Sequence, residues 1–208
     1  MACMKLKTLE QILQEVESFQ NPKILLEQYS TTPHLAACML HTIQSMFGDI
    51  ENKLVADLGC GCGILTFGSC FLGASHVIGF EIDPEALESF ESNKEGFEIE
   101  NCEAINCNIK HLDEKWNNVF DTVIMNPPFG TRQRGIDIEF IESGIKLANS
   151  VYSLHKSSTR SYIMKKSSEW GMNCKVLAEL RFDLLPIYKF HTKKSVDINV
   201  DLFQFKSI

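Results

Sequence analysis

The sequence predicts an α/β fold: a doubly wound, mainly parallel sheet of seven strands with an antiparallel C-terminal strand. Three observations carry this. Apolar, β-branched runs alternate with stretches of helical periodicity along most of the chain. The first such run leads at once into a glycine-rich turn and then a helix. The end of the chain holds two long strand-like runs with no helical pattern between them.

In order, Leu6, Leu9, Ile12, Leu13, Val16 and Phe19 recur at helical spacing and predict an amphipathic first helix. Pro22 seeds a short helix over Lys23–Gln28. The hydroxyls of Ser30, Thr31 and Thr32 before Pro33 mark a loop feeding a helix over Pro33–Phe47. That loop reads either as a capping segment, with Thr32 as N-cap, or as a lid that offers polar groups to a ligand. Strands follow at Lys53–Leu58, His76–Glu81, Cys102–Cys107, Phe120–Met125 and Val151–Leu154. Helices are expected at Ile64–Leu72, Pro84–Asn93, Ile136–Asn149 and Ser157–Trp170. Lys175–Arg181 and Val196–Phe205 complete the sheet.

A chain of 208 residues suits a single domain over 1–208, with 1–50 as a helical lid region and 51–208 as the α/β core. The net charge of −7 argues against a broadly basic nucleic-acid binder but permits a local basic patch. Eight scattered cysteines, several inside apolar runs, suit reduced thiols in an intracellular protein. Met1–Glu10 has no apolar core, so it is not a secretory signal. Leu58–Phe80 lacks Asp, Glu, Lys and Arg and is long enough to imitate a membrane span. Its glycines at 59, 61, 63, 68, 73 and 79 instead predict a strand end, loop, buried helix and second strand. No membrane segment is expected.

Two motifs carry chemistry. Asp57-Leu58-Gly59-Cys60-Gly61-Cys62-Gly63 stands between a strand and a helix, where glycines let a ligand approach backbone amides. A carboxylate before the loop would repel a pyrophosphate but suits an ammonium group. Glu81, at the end of the second strand, is placed for ribose hydroxyls, and Asn108, after the third, for an adenine edge. Ammonium, ribose and adenine together describe S-adenosylmethionine. The second motif, Asn126-Pro127-Pro128-Phe129, ends a buried strand in an amide, a rigid turn and a ring, where a flat molecule would bind. Cys60 and Cys62 have no second pair at finger spacing, and the histidines show no ligand spacing, so no metal is expected.

With these motifs in place, the sequence resembles class I S-adenosylmethionine-dependent methyltransferases, for which NPPF is the amino-methyltransferase signature. ILLEQYST, ADLGCGCGIL, IMNPPFGT and VYSLHKSSTR are more closely similar to the methyltransferase-like protein five family, N6-adenosine methyltransferases of small-subunit ribosomal RNA. The resemblance implies cofactor contacts at Gln28, Thr31, Gly59, Cys62, Glu81, Asn108 and Ile109, which favours the lid reading over the cap; Asp57 and Gly61 of the loop and Ile82 after the second strand complete the expected cofactor site. The family often has Asp where Glu81 and Asn108 stand here. Glu81 keeps the charge, and the Asn108 oxygen can still accept from an adenine amine.

The resemblance also implies the chemistry at Asn126, Pro127, Pro128 and Phe129. The Asn126 oxygen and Pro127 carbonyl accept the hydrogens of the adenine amine, and Phe129 stacks on the base. Arg132, Arg134, Lys156, Arg160, Lys165, Lys166, Lys189, Lys193 and Lys194 are candidates for a local phosphate-binding rim. The family pairs with a small zinc-binding activator, expected here on an edge strand near Cys102–Cys107. Location in the nucleus, nucleolus and cytoplasm is implied as well. Three other readings stay open: glutamine methylation in a release factor, guanine N2 methylation, and an RNA-binding scaffold that has lost catalysis.

Overall fold

The structure, a computed structural model, describes residues 4–184 and 196–207. Helices α1 (Leu6–Leu13), α2 (Pro33–Phe47), α3 (Ile64–Phe71), α4 (Pro84–Gly96), α5 (Ile136–Leu147) and α6 (Arg160–Glu169) flank one sheet. Its strands are β1 (Leu54–Leu58), β2 (His76–Glu81), β3 (Cys102–Asn106), β4 (Phe120–Met125), β5 (Ala148–Lys156), β6 (Met172–Leu184) and β7 (Val196–Ser207). They lie in the order β3-β2-β1-β4-β5-β7-β6. The β3-β2-β1-β4-β5 pairs are parallel; β7 runs antiparallel to both β5 and β6. The expected architecture is the one found.

The strand order reverses between β1 and β4, which pair Leu58 with Met125 at their carboxyl ends. Such a switch point opens a crevice just beyond the strands, so the fold itself places the glycine loop and Asn126 side by side. Each sheet face buries its own apolar cluster. Leu40, Ile43, Val55, Phe67, Val77 and Tyr152 lie on one, and Leu58, Phe80, Val123, Met125, Ile141 and Phe203 on the other. At about 25 cal/mol per Å² of apolar surface removed from water, these clusters are the main force holding the layers together. Among the described residues no helix is long and apolar enough to cross a membrane.

Several boundaries differ from expectation. The first helix stops at Leu13, so Val16 and Phe19 fall outside it. Asn93 of α4 explains the early end. Its side chain accepts from Glu17 N and donates to Glu17 O, both at 2.9 Å, replacing helical hydrogen bonds with tertiary ones. Glu15 and Glu17 would also stand unfavourably against the negative end of a longer helix. The helix expected over Lys23–Gln28 is one 3₁₀ turn, Ile24–Leu26, ended by Glu27 in the left-handed region. Residues 148 and 149 belong to β5 rather than to α5, because Ala148 pairs with Phe120. Both C-terminal strands run longer than predicted.

Candidate active site

The loop after β1 needs its glycines. Gly59, Gly61 and Gly63 have φ of 70°, 53° and 95°. A Cβ at Gly63 would also lie 2.4 Å from the Phe67 ring, so any side chain there is both strained and obstructed. The loop is stitched to the end of β2: Gly59 N donates to Phe80 O at 2.8 Å, and Gly61 N to Glu81 Oε2 at 3.0 Å. Beyond it lies a cavity of about 400 Å³, lined among others by Asp57, Gly61, Glu81, Asn108, Asn126 and Pro128. That size lies in the usual range for small-ligand sites.

Asp57 is buried, and its two oxygens differ. Oδ2 accepts from Thr66 Oγ1 at 2.8 Å, while Oδ1 has no partner. Burial pushes its carboxyl up to about 7, against the opposing bonds from Thr66. A buried acceptor without a partner, on a cavity wall, fits a cationic donor such as the ammonium of S-adenosylmethionine.

Glu81 is held by three backbone donors, Gly61 N on Oε2 and Ile82 N and Asp83 N on Oε1. Burial still holds its carboxyl above the usual range, with those amides pulling the other way. Oε2 keeps a lone pair for a hydroxyl. The Asn108 oxygen accepts from Lys110 N at 3.0 Å, so its amino group is the fully available end. Ile109 is buried, whereas Ile82 is exposed at the rim. Burial pushes the Cys62 thiol up to about 12, leaving a protonated, uncharged wall.

The N-terminal segment closes over this cavity. Lys23 Nζ lies 2.5 Å from Asp83 Oδ1 and 2.9 Å from Glu85 Oε1. Gln28 donates to Asp83 Oδ2 at 2.7 Å and accepts from Lys23 N at 2.6 Å, so it lines the cavity while tying the segment down. Glu27 Oε1 accepts from Arg132 N at 2.8 Å, a second tie. The Phe19 ring lies over the loop, 2.8 Å from where a Cβ on Gly61 would stand. The cap reading holds, since Thr32 caps α2 by accepting from Leu35 N at 3.3 Å, and the same segment also lines the cavity. Phe19 and Phe140, which line the cavity, and Lys23, Asp83 and Asn93, which tie down the segments around it, were not singled out from the sequence. Only Asp83 had a local signal, as the residue opening α4 before Pro84.

β4 brings Asn126 and Pro128 of the second motif to the same cavity, whereas Pro127 and Phe129 do not line it. Asn126 Nδ2 donates to Thr31 Oγ1 at 2.8 Å, and Asn126 Oδ1 is buried without a partner. The Phe129 ring is half-buried, because it packs edge-on against Phe182 with centroids 6.1 Å apart. Lys156 Nζ lies 5.5 Å from the Phe129 ring centroid.

The basic residues separate into two groups. Arg132 and Arg134 are exposed beside the motif. Arg160 is withdrawn from the expected phosphate rim: it binds Asp201 through Nε and Nη2, at 2.5 and 2.7 Å, and Glu179 at 2.8 Å. A guanidinium so engaged has little left for a phosphate. Lys166 is paired with Glu169 at 2.7 Å. Lys189, Lys193 and Lys194 lie outside the described residues.

Residues 35–152 match the family model described as the methyltransferase small domain. The chain is 54% identical to a Danio rerio protein named rRNA N(6)-adenosine-methyltransferase, over 97% of this chain and 99% of that protein. It is 52% identical to a Drosophila melanogaster protein of the same description, over 99% and 98%. Among solved structures, a protein of Pyrococcus horikoshii superposes with a TM-score of 0.87 at 33% identity, over 99% of this chain and 98% of that one.

Proposed function

The chain belongs to the methyltransferase small-domain family, and on that premise we propose that it transfers methyl from S-adenosylmethionine to the N6 amine of an adenosine in small-subunit ribosomal RNA. The observation that carries the reading is that two residues lining one cavity, Asn126 and Asp57, each keep a buried Oδ1 acceptor with no partner. Such a pair asks for two donors, one cationic and one an amine. The names of the full-length relatives supply the substrate class.

When bound, the cofactor supplies a methyl group on a sulfonium, already a strong electrophile. Asp57 receives its ammonium, and Gly59, Gly61 and Cys62 line its approach. Glu81 and Ile82 meet the ribose, and Asn108 and Ile109 the adenine. The opposite wall handles the substrate. The amine lone pair is delocalised into the base, so Asn126 Oδ1 and the Pro127 carbonyl accept its hydrogens and draw it towards a tetrahedral nitrogen. Phe129 stacks on the base, a contact of roughly 1–3 kcal/mol. Positioning at about 3–3.5 Å then carries most of the rate, and no general base is needed before attack. The target adenosine has to be unpaired or flipped out.

The test offers labelled S-adenosylmethionine with ribosomal RNA, with a release factor, or with neither. Label recovered as N6-methyladenosine in the small-subunit RNA is expected. Label in glutamine or on guanine N2 would overturn the reading.

The same reading includes a small zinc-binding activator added to the sheet at β3, and work in the nucleus, nucleolus and cytoplasm. β3 pairs only with β2 among the described residues, and its Ala104 and Ile105 are half-buried. Helix α1 packs on α2 and α3 instead of covering that edge. The other edge, β6, is broken by an irregularity between Val176 and Ala178 and carries Lys175, Glu179 and Arg181, features that discourage pairing. A stable, fully active monomer would refute the heterodimer.

A further inference from the structure

We propose that Thr31 is a positioning residue for catalysis: by accepting from Nδ2, its hydroxyl holds the Asn126 amide with Oδ1 left for the substrate amine. The inference rests on the proposed amine-acceptor role of Asn126. An amide has a donor end and an acceptor end of nearly equal size, and an exocyclic amine presents hydrogens. Only the oxygen can receive them. With Nδ2 donating to Thr31 Oγ1 at 2.8 Å, Oδ1 is the end left buried and unpartnered, in a residue that lines the cavity.

The reverse orientation would aim two N–H donors at a donor. It would also leave the buried amino group without an acceptor, a rarer and costlier defect than an under-satisfied carbonyl. Thr31 can hold the amide because it is itself fixed. It is buried, and the next residue, Thr32, caps α2. Three residues earlier, Gln28 is bonded to Asp83 on the cofactor side of the cavity. The closed lid therefore reaches the catalytic amide directly. Thr31 lines the same cavity, so a direct contact with the cofactor is the competing role that the experiment has to separate.

Thr31→Val keeps the shape and removes the acceptor, whereas Thr31→Ser keeps it. At saturating S-adenosylmethionine and ribosomal RNA, Thr31→Val is expected to lower kcat by roughly 10- to 100-fold, the scale of a misaligned reacting group. Cofactor Kd, measured by calorimetry, stays put, and Thr31→Ser restores turnover. In the cofactor-free full chain, the Asn126 side-chain NH₂ protons, identified by their loss in Asn126→Asp, exchange slowly in the wild type and faster in Thr31→Val. Unchanged kcat in Thr31→Val would overturn the proposal, as would a loss confined to cofactor Kd or unchanged amide exchange. Wild-type protein inactive on RNA that still shows the exchange difference would sink the RNA reading while leaving the Thr31–Asn126 arrangement standing.

Discussion

Thr66 donates its hydroxyl proton to Asp57 Oδ2 at 2.8 Å, which leaves Oδ1 of this buried, cavity-lining residue without a partner. Burial places this carboxyl at about 7 in the free protein, far above an ordinary Asp. A bound ammonium stabilises the charged form and pulls that value down, so binding releases a proton wherever the free protein still holds one. Cofactor affinity should therefore weaken as pH falls from 8 to 6, by about tenfold when the free group titrates near 7. Calorimetric Kd values across that window check this. Asp57→Asn should bind more weakly and show a flatter profile, and a wild-type Kd independent of pH would exclude Asp57 as the ammonium site.

Replacing the amide tests the other wall. Asn126→Ala removes the unpartnered oxygen and leaves the Asp57 side of the cavity intact. Loss of one preorganised group at a reacting centre costs about 10² to 10³ in kcat. Turnover on ribosomal RNA should fall by at least that much, while calorimetry still registers cofactor binding. A variant with near-normal turnover would rule out the acceptor mechanism.

Which features were legible in the sequence depended on the range of the interactions that set them. α2, β2 and β4 begin and end where their caps, prolines and apolar runs say, because those signals are local. The glycine loop was legible for the same reason: positive φ at Gly59, Gly61 and Gly63 is a demand on the residue itself. The end of α1 was not, since Asn93 captures the backbone of Glu17 from 76 residues away. The bond between Thr31 and Asn126 spans 95 residues and has no periodicity to betray it. The packing of Phe129 was hidden too, because its partner Phe182 belongs to a strand far along the chain. Arg160 read as a free cation because Asp201 reaches it only through the pairing of β5 with β7.

The Lys23 latch should govern cofactor exchange rather than chemistry. Asp83 is buried, which opposes its charge, but bonds from Lys23, Gln28 and Glu85 N hold its carboxyl below the usual range. Lys23→Ala removes the half-exposed partner and leaves Gln28 as the side-chain tie from this segment to Asp83. An ion pair made by an exposed lysine is weak, so cofactor should dissociate only about two- to fivefold faster. kcat at saturation should not change. Stopped-flow displacement measures the rate; an unaltered off-rate would mean that the segment does not gate the cavity.

Acid stability should depend on His155, which the proposed chemistry does not use. The ring is buried under Phe203, shares a hydrogen bond with Ser153 Oγ at 2.7 Å through Nε2, and has no partner at Nδ1. Burial lowers its pKa to about 3; the charge of Asp201 opposes this, but Ser157 and Arg160 already engage that carboxylate. An unfolded histidine takes its proton near 6.5. Between about 6.5 and 3 the unfolded chain therefore holds a proton that the folded chain refuses, and stability falls as pH falls through that window. Above 6.5 both states are neutral and the group adds no pH dependence. The slope from this one residue approaches about 1.4 kcal/mol per pH unit. Urea denaturation at pH 7, 6 and 5 should show that loss in the wild type. His155→Gln cannot titrate, so its curve should be flatter by that amount even where its absolute stability is lower. Parallel wild-type and variant slopes would move the acid sensitivity to another group.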